Sequence, residues 1–154
     1  MRPTTSICLF LMVFAGCRGS KYLTNNLVQG SIPTDITSPK YVLLVQTNDH
    51  IRPSMLNNAM KKNYPAAYEV VSEKQLASDK RFADVDKYRY EVVCRYGSGG
   101  GYTSNTGTGY STAVYSDQFV IDRKENKQFP ATNLLSNNYA MGMVLFCRAI
   151  KHMQ

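Results

Sequence analysis

The alternating stretch of residues 88–96 constrains the fold of this chain more than any other part of its sequence. Tyr, Val and Cys occupy every second position, and Arg, Glu and Val fill the positions between them. A period of two is typical of a β-strand whose two faces meet different surroundings. A glycine-rich loop at residues 97–109 and a second strand-like run at 110–121 follow. The sequence therefore predicts a β-hairpin at the centre of a sheet.

Two strand–helix units precede this hairpin. Residues 41–45 form a compact apolar run, which is typical of a strand buried on both faces. A proline suits the first turn of a helix at residues 53–63, and Leu, Ala and Met fall on one face of that helix. Residues 68–71 predict a second strand. A Ser-x-x-Gln capping box then begins a short helix at residues 72–77.

A long apolar segment follows the hairpin. After a polar turn at residues 122–127, residues 128–129 can pair back as an edge strand, and a last helix is predicted at 132–151. From residue 139 to residue 147 this helix is apolar almost all round, which indicates burial on more than one side. We expect it to pack across the sheet. The alternative is that its outer face forms an oligomer or partner contact.

The element order β-α-β-α-β-β-(β)-α predicts an α+β fold in a single domain, residues 40–154. We expect a mixed, mainly antiparallel sheet of four or five strands with two or three helices packed on it. Residues 18–39 are rich in Ser, Thr, Asn, Gly and Pro and contain only isolated apolar residues, which is typical of a flexible tether. The alternative is that residues 22–28 pack on the domain as an early strand or helix.

The first seventeen residues carry the most specific functional signal in the sequence. Arg2 precedes a short apolar run at residues 7–14, and this run is too short to cross a bilayer as a helix. A removed targeting peptide therefore fits better. The sequence Phe14-Ala15-Gly16-Cys17 resembles the lipobox of bacterial lipoproteins, which ends in a small pair before an obligatory Cys; Phe14 stands where Leu is favoured. An ordinary signal peptide, or a buried segment with an incidental Cys, is the alternative.

The resemblance, which covers residues 1–17 alone, is to small Bacteroidetes-type envelope lipoproteins of unknown function. It implies a signal peptide at 1–16, a lipidated Cys17 that begins a tether at 17–39, and a membrane anchor made of a diacylglyceryl group and an acyl chain such as palmitate. Arg18 stands where an Asp can mark retention in the inner membrane, and no acidic run follows. We therefore expect the protein at the outer membrane, facing the periplasm. The family of the domain at residues 40–154 is not identified.

A second resemblance concerns a short part of the body. The pattern of a helix, a strand ending in two valines and a short capped helix, within residues 53–77, is loosely similar to two groups of small envelope domains. These are the N-terminal domain of the Tol translocation protein and the lipoprotein activators of peptidoglycan synthases. No functional residue is carried over from them to this chain.

Few residues suggest chemistry. Cys94 and Cys147 are candidates for a disulfide in an oxidising compartment, with two buried thiols as the alternative. The two histidines, His50 and His152, have no short-range Cys or His partner, so neither a catalytic Cys–His pair nor a zinc site is expected. The Asp84–Asp86 pair lacks the further ligands of a calcium loop. We expect no metal and no cofactor.

The glycine-rich loop is the remaining candidate site. It follows a strand, as a phosphate-binding loop does, but it contains no Lys and no helix start. Tyr flanked by Ser, Thr and Asn is also the composition of adaptable binding loops, so we consider both a mobile hairpin tip and a binding loop. The candidate binding residues are Gly97, Gly99, Gly100, Gly101, Tyr102, Gly107 and Gly109.

These observations favour a non-catalytic binding or assembly domain on a membrane anchor, with an unknown envelope protein or glycan as its partner. The formal charge of +7 is spread along the chain rather than clustered, so no nucleic-acid partner is expected. One alternative is an envelope enzyme that acts on glycan or cell-wall material through carboxylates such as Asp117 and Asp122. Another is a structural lipoprotein that self-associates through the last helix.

Overall fold

The computed structural model describes residues 26–47, 52–98, 102–104, 107–109, 114–134, 136 and 139–153, with the backbone alone at 95–98, 102–104, 107–109 and 114–117. The elements in chain order are β1 (Leu43–Thr47), α1 (Pro53–Asn63), β2 (Tyr68–Ser72), α2 (Glu73–Ser78), a 3-10 turn (Lys80–Ala83), β3 (Tyr90–Ser98), β4 (Tyr102–Ser104), β5 (Gly107–Gly109), β6 (Val114–Asp122), β7 (Lys127–Gln128) and α3 (Tyr139–Met153).

Five strands form one mixed sheet in the order β2-β1-β3-β6-β7. Strand β1 pairs parallel with both β2 and β3, whereas β3–β6 and β6–β7 are antiparallel. Strands β4 and β5 form a separate two-stranded ladder between β3 and β6 in the chain. The predicted α+β class and the predicted order of strands and helices are confirmed.

The sheet is covered on both faces. Helices α1 and α3 pack against each other, α1 contacts β2 and α3 contacts β6. The residues between them form the main core, which includes Leu43, Val45, Leu56, Met60, Tyr90, Val92, Val120, Met143, Phe146 and Ile150. A smaller cluster on the opposite face contains Leu44, Val71, Phe82 and Tyr88. Strand β1 contributes to both clusters, so the prediction that it is buried on both faces is confirmed.

The capping signals act as predicted. Helix α1 has Pro53 in its first turn and ends at Asn63. At the start of α2, the Ser72 side chain accepts a hydrogen bond from the Gln75 backbone N–H at 3.2 Å. The Gln75 side chain in turn accepts one from the Ser72 N–H at 2.9 Å. Both donors would otherwise have no partner within the helix.

The last helix is shorter than predicted, because it begins at Tyr139 rather than near residue 132. The residues before it extend along β6 instead: Thr132 N–H donates to the Gln118 carbonyl at 2.7 Å. Asn133 has a φ of 60°, in the left-handed region, which interrupts a right-handed helix. No periodic pattern in the sequence argues against a helix at this point.

The domain also begins earlier than predicted. Ile32 and Ile36 are each 3% exposed and belong to the main core. The hydroxyl of Tyr64, the residue after α1, donates to the Ile36 carbonyl at 2.8 Å, and the Tyr90 hydroxyl donates to Asp35 at 2.6 Å. The prediction of a flexible tether at 17–39 is therefore wrong for residues 26–39. Irregular turns carry these side chains into the core, so no sequence period marks them.

Candidate binding groove at the open sheet edge

Several of the residues predicted from sequence lie outside the part of the chain that the structure describes. These are Cys17, His50 and three of the loop glycines, Gly99, Gly100 and Gly101. The other loop residues lie on strands: Gly97 in β3, Tyr102 in β4, and Gly107 and Gly109 in β5. The glycine-rich loop therefore contains a short hairpin of its own. A binding role for this loop stays a prediction.

The two cysteines of the body are both thiols in the structure. Cys147 is buried, and its Sγ lies 3.6 Å from the Sδ of Met60. Burial raises the pKa of the Cys147 thiol to about 12, so it is protonated at neutral pH and a poor nucleophile. Cys94 is half-buried and packs against the same core cluster. The disulfide between them stays a prediction.

Asp122 lies at the end of β6, where it stabilises the turn into β7. Its Oδ2 accepts two hydrogen bonds from the Arg89 guanidinium, from Nη2 at 2.8 Å and from Nε at 3.0 Å. Its Oδ1 accepts hydrogen bonds from the backbone N–H groups of Lys124 and Glu125. Burial would raise the pKa of Asp122, but these hydrogen bonds lower it below its ordinary value. Both oxygens are thus occupied within the fold, which is the arrangement of a structural ion pair. For Asp117 the structure describes the backbone alone.

A second buried carboxylate lies on the face that α2 and the 3-10 turn cover. Glu91 is 6% exposed, and its Oε2 is 3.9 Å from the Nε of Arg123. Arg123 also donates to the carbonyls of Tyr88 and Phe82, at 3.0 Å and 2.6 Å. Burial raises the pKa of Glu91, against the opposing effect of Arg123. The alternating pattern of residues 88–96 predicts Glu91 on the polar face of β3, and in the structure this face is covered at Glu91.

The groups that could hold a metal are also dispersed. Among the described residues, no cluster of three or more His, Cys, Asp or Glu side chains is placed to bind a metal ion. The part of the surface that best suits binding is at the edge of the sheet that β2 forms.

Among the strands that the structure describes, β2 is the outermost on its side, and β1 is its single neighbour. The Leu43 N–H donates to the Ala67 carbonyl at 3.0 Å, and Leu43 is in register with Tyr68. In a parallel ladder, the residues that bond to one neighbour alternate with residues whose backbone groups point to the other side. The N–H and C=O groups of Tyr68 and Val70 therefore point away from β1, towards the open edge.

A shallow groove of about 720 Å³ lies along this edge, between α1 and β2. Its volume is within the range of about 300–1,000 Å³ that is usual for ligand sites. One wall comes from α1, the opposite wall from β2, and the connection between them closes one end. The residues that line it are Pro53, Ser54, Asn57, Lys61, Ala66, Ala67, Tyr68, Glu69 and Val70.

Tyr68 fixes the distance between the two walls. Its hydroxyl lies 3.1 Å from the Asn57 carbonyl oxygen and 3.0 Å from the Asn57 Oδ1. Its ring packs edge-on against Tyr64, with the ring centroids 6.2 Å apart. Burial raises the pKa of the Tyr68 phenol above its ordinary value. The groove is therefore held open by contacts within the fold.

The groove has a positive wall. Lys61 is exposed, lines the groove and makes no ion pair with any described residue. Glu69 also contributes to the lining, but its carboxylate accepts the Tyr88 hydroxyl at 2.8 Å and pairs with Arg81 at 3.2 Å on the other face. Helix α1 contains no acidic residue. The charge offered to an occupant is thus that of Lys61.

The opposite edge of the sheet is different. Strand β7 has two residues, one of them Lys127, and Pro130 follows shortly after. Short length, lysine and proline are the usual means by which proteins keep an edge from pairing with another chain. Strand β2, with the sequence Tyr-Glu-Val-Val-Ser, contains neither lysine nor proline. Sequence reasoning missed Tyr68, Val70 and Lys61 because edge position depends on the order of the strands.

Neither family models, characterised proteins nor solved structures yield a match to this chain. Within the described ranges, no helix combines the length and the apolar character that crossing a membrane requires.

Proposed function

We propose that this protein is a lipid-anchored envelope lipoprotein whose α+β domain binds another envelope component without catalysis. The sequence Phe14-Ala15-Gly16-Cys17 carries the proposal, because its resemblance to a lipobox implies lipidation of Cys17. Two or more acyl chains hold a protein stably at a membrane. The anchor then keeps the domain at the periplasmic face of the outer membrane.

The binding role is supported by the groove along β2. It combines backbone groups of Tyr68 and Val70 that point away from β1, a wall fixed by the Tyr68–Asn57 contact, and Lys61, which makes no ion pair with any described residue. Two of the described side chains that could serve catalysis are engaged otherwise: Asp122 in its ion pair and Cys147 in the core. The β2 groove therefore fits a binding function better than a catalytic one.

The anchor is tested by comparing Cys17→Ser with Cys8→Ser. Cys8 lies in the same N-terminal segment but outside the lipobox-like sequence, so it is a matched control. We expect the wild type and Cys8→Ser to incorporate labelled palmitate and to fractionate with membranes. Cys17→Ser should lose the label and leave the membrane fraction. Palmitate incorporation by Cys17→Ser equal to that of the wild type would contradict the anchor.

Self-association through α3 is a second candidate function, and one observation favours it. Met141 on α3 is 52% exposed, although its neighbours Gly142 and Met143 are buried. We expect this exposed apolar side chain to lie in the contact if two copies associate through α3. Sedimentation of the full chain and of Met141→Lys tests this: a dimer that the substitution dissociates supports it, and a monomeric wild type refutes it.

A further inference from the structure

We propose that the partner binds as an extended peptide segment that adds to the sheet beside β2 and places an acidic side chain near Lys61. This inference rests on the proposed binding function and names the chemistry of its partner. The occupant is a segment of another protein, rather than a glycan or a second copy of this chain.

The backbone of β2 argues for a strand. Tyr68 and Val70 each direct one N–H and one C=O to the open edge, so four hydrogen-bonding groups lie in a row. The next open N–H, that of Ser72, is already bonded to Gln75 in the capping box. An extended chain presents donors and acceptors with the same period of two, and pairing of this kind gives affinity in strand-addition complexes.

The dimensions of the groove agree with a short segment. Ser54, Asn57 and Lys61 lie three and four residues apart, so they occupy one face of α1. From Ser54 to Lys61 the helix rises by about 10 Å. A strand of about three residues covers that distance, at roughly 3.3 Å per residue. Every second side chain of the added strand would point towards α1 and into the groove.

The charge of the groove favours an acidic segment over a second copy of the chain. Lys61 offers one unpaired positive charge in the groove, and the exposed Lys62 follows it in the last turn of α1. A second copy of the chain, with a formal charge of +7 over its whole length, would be repelled more strongly than an acidic segment. An acidic segment is attracted instead, and it pairs Lys61, which has no ion-pair partner among the residues that the structure describes.

The test begins with the full-length chain, purified from whichever fraction contains it, and a phage-displayed library of random dodecapeptides. We expect selection to enrich peptides with alternating β-branched residues and at least one Asp or Glu. For a selected peptide, amide exchange of Tyr68 and Val70 should slow by about tenfold when the peptide is at about ten times its Kd. The Glu69 amide, which already bonds to β1, should change little.

Two pairs of variants separate backbone pairing from side-chain effects. Val70→Pro removes one open N–H at an edge position where proline is tolerated, and it should weaken binding of the peptide by about two- to twelvefold, the loss of one hydrogen bond. Val70→Thr keeps the N–H and should bind as the wild type does. Lys61→Glu should weaken binding of acidic peptides more than Lys62→Glu does, because Lys61 lines the groove and Lys62 does not.

Each other outcome overturns the inference. Enrichment of no peptide, or slowed exchange at residues other than Tyr68 and Val70, means that the β2 edge is not a peptide site. Binding of purified peptidoglycan with no enriched peptide assigns the groove to a glycan. A dimer of the full chain that Val70→Pro dissociates assigns the edge to a second copy. Palmitate labelling at Cys17 is scored separately, so failure of the anchor is distinguishable from failure of the peptide site.

Discussion

Replacing Ile36 by Ala is the sharpest test of whether the domain begins before residue 40. Ile36 is 3% exposed and packs in the main core, so truncation removes a buried side chain and leaves a cavity. Substitutions of this kind cost about 2–5 kcal/mol, which is a large share of the roughly 5–15 kcal/mol that stabilises a typical domain. We therefore expect Ile36→Ala to lower the free energy of unfolding by about 2–5 kcal/mol.

Val28→Ala is the matched control, because Val28 belongs to the same segment but is 38% exposed. Its substitution should change the free energy of unfolding by less than about 0.5 kcal/mol. The assay is urea denaturation of the full-length chain, followed by circular dichroism, with the m-value compared among variants. Equal midpoints for Ile36→Ala and Val28→Ala would refute the packing of residues 26–39 and restore the flexible tether for them.

Three further substitutions test other parts of the fold by the same measurement. Asp122→Ala should cost about 1.5–3 kcal/mol, the range for hydrogen bonds to a charged group, because Arg89 loses Asp122 but keeps Asp35 at 3.5 Å; a loss below about 1 kcal/mol would contradict the structural ion pair. Burial raises the pKa of Glu91, so the folded chain keeps the carboxyl proton of Glu91 to a higher pH than the unfolded chain does. The stability that this bound proton contributes is lost as the pH rises through the folded-state pKa. Glu91→Gln should therefore unfold at higher urea than the wild type at pH 7 and at equal urea near pH 4, and the opposite trend would show that Arg123 dominates. Asn133→Gly should be neutral or slightly stabilising, because Asn133 has positive φ, and a loss above about 1 kcal/mol would mean that its side chain is needed.

Local patterns in the sequence predict the elements of this fold well. The capping box at Ser72 and Gln75, the proline that begins α1, and the apolar run of β1 are all short-range signals, and the structure bears out each of them. Alternation predicts most of β3, but Tyr88 packs in the smaller cluster, on the opposite face from Tyr90, because the strand begins only at Tyr90. The phase of the alternation changes at that residue.

What the sequence does not predict depends on contacts between distant residues. Ile32 and Ile36 enter the core through turns, and turns have no hydrophobic period. The groove is a consequence of strand order, because β2 precedes β3 in the chain and yet lies at the edge. Tyr68, Val70 and Lys61 are ordinary residues in sequence. They become a candidate site only when α1 and the free side of β2 are brought together.

Site-specific photo-crosslinking in living cells tests the binding account most directly. A photoreactive phenylalanine analogue at Lys61 lies in the groove, whereas the same analogue at Lys62 lies on the same exposed turn outside the groove lining. We predict a discrete protein adduct in the membrane fraction from position 61 and none from position 62. Adducts of the same size and yield from both positions, or no adduct from position 61, would contradict the binding role of the β2 groove.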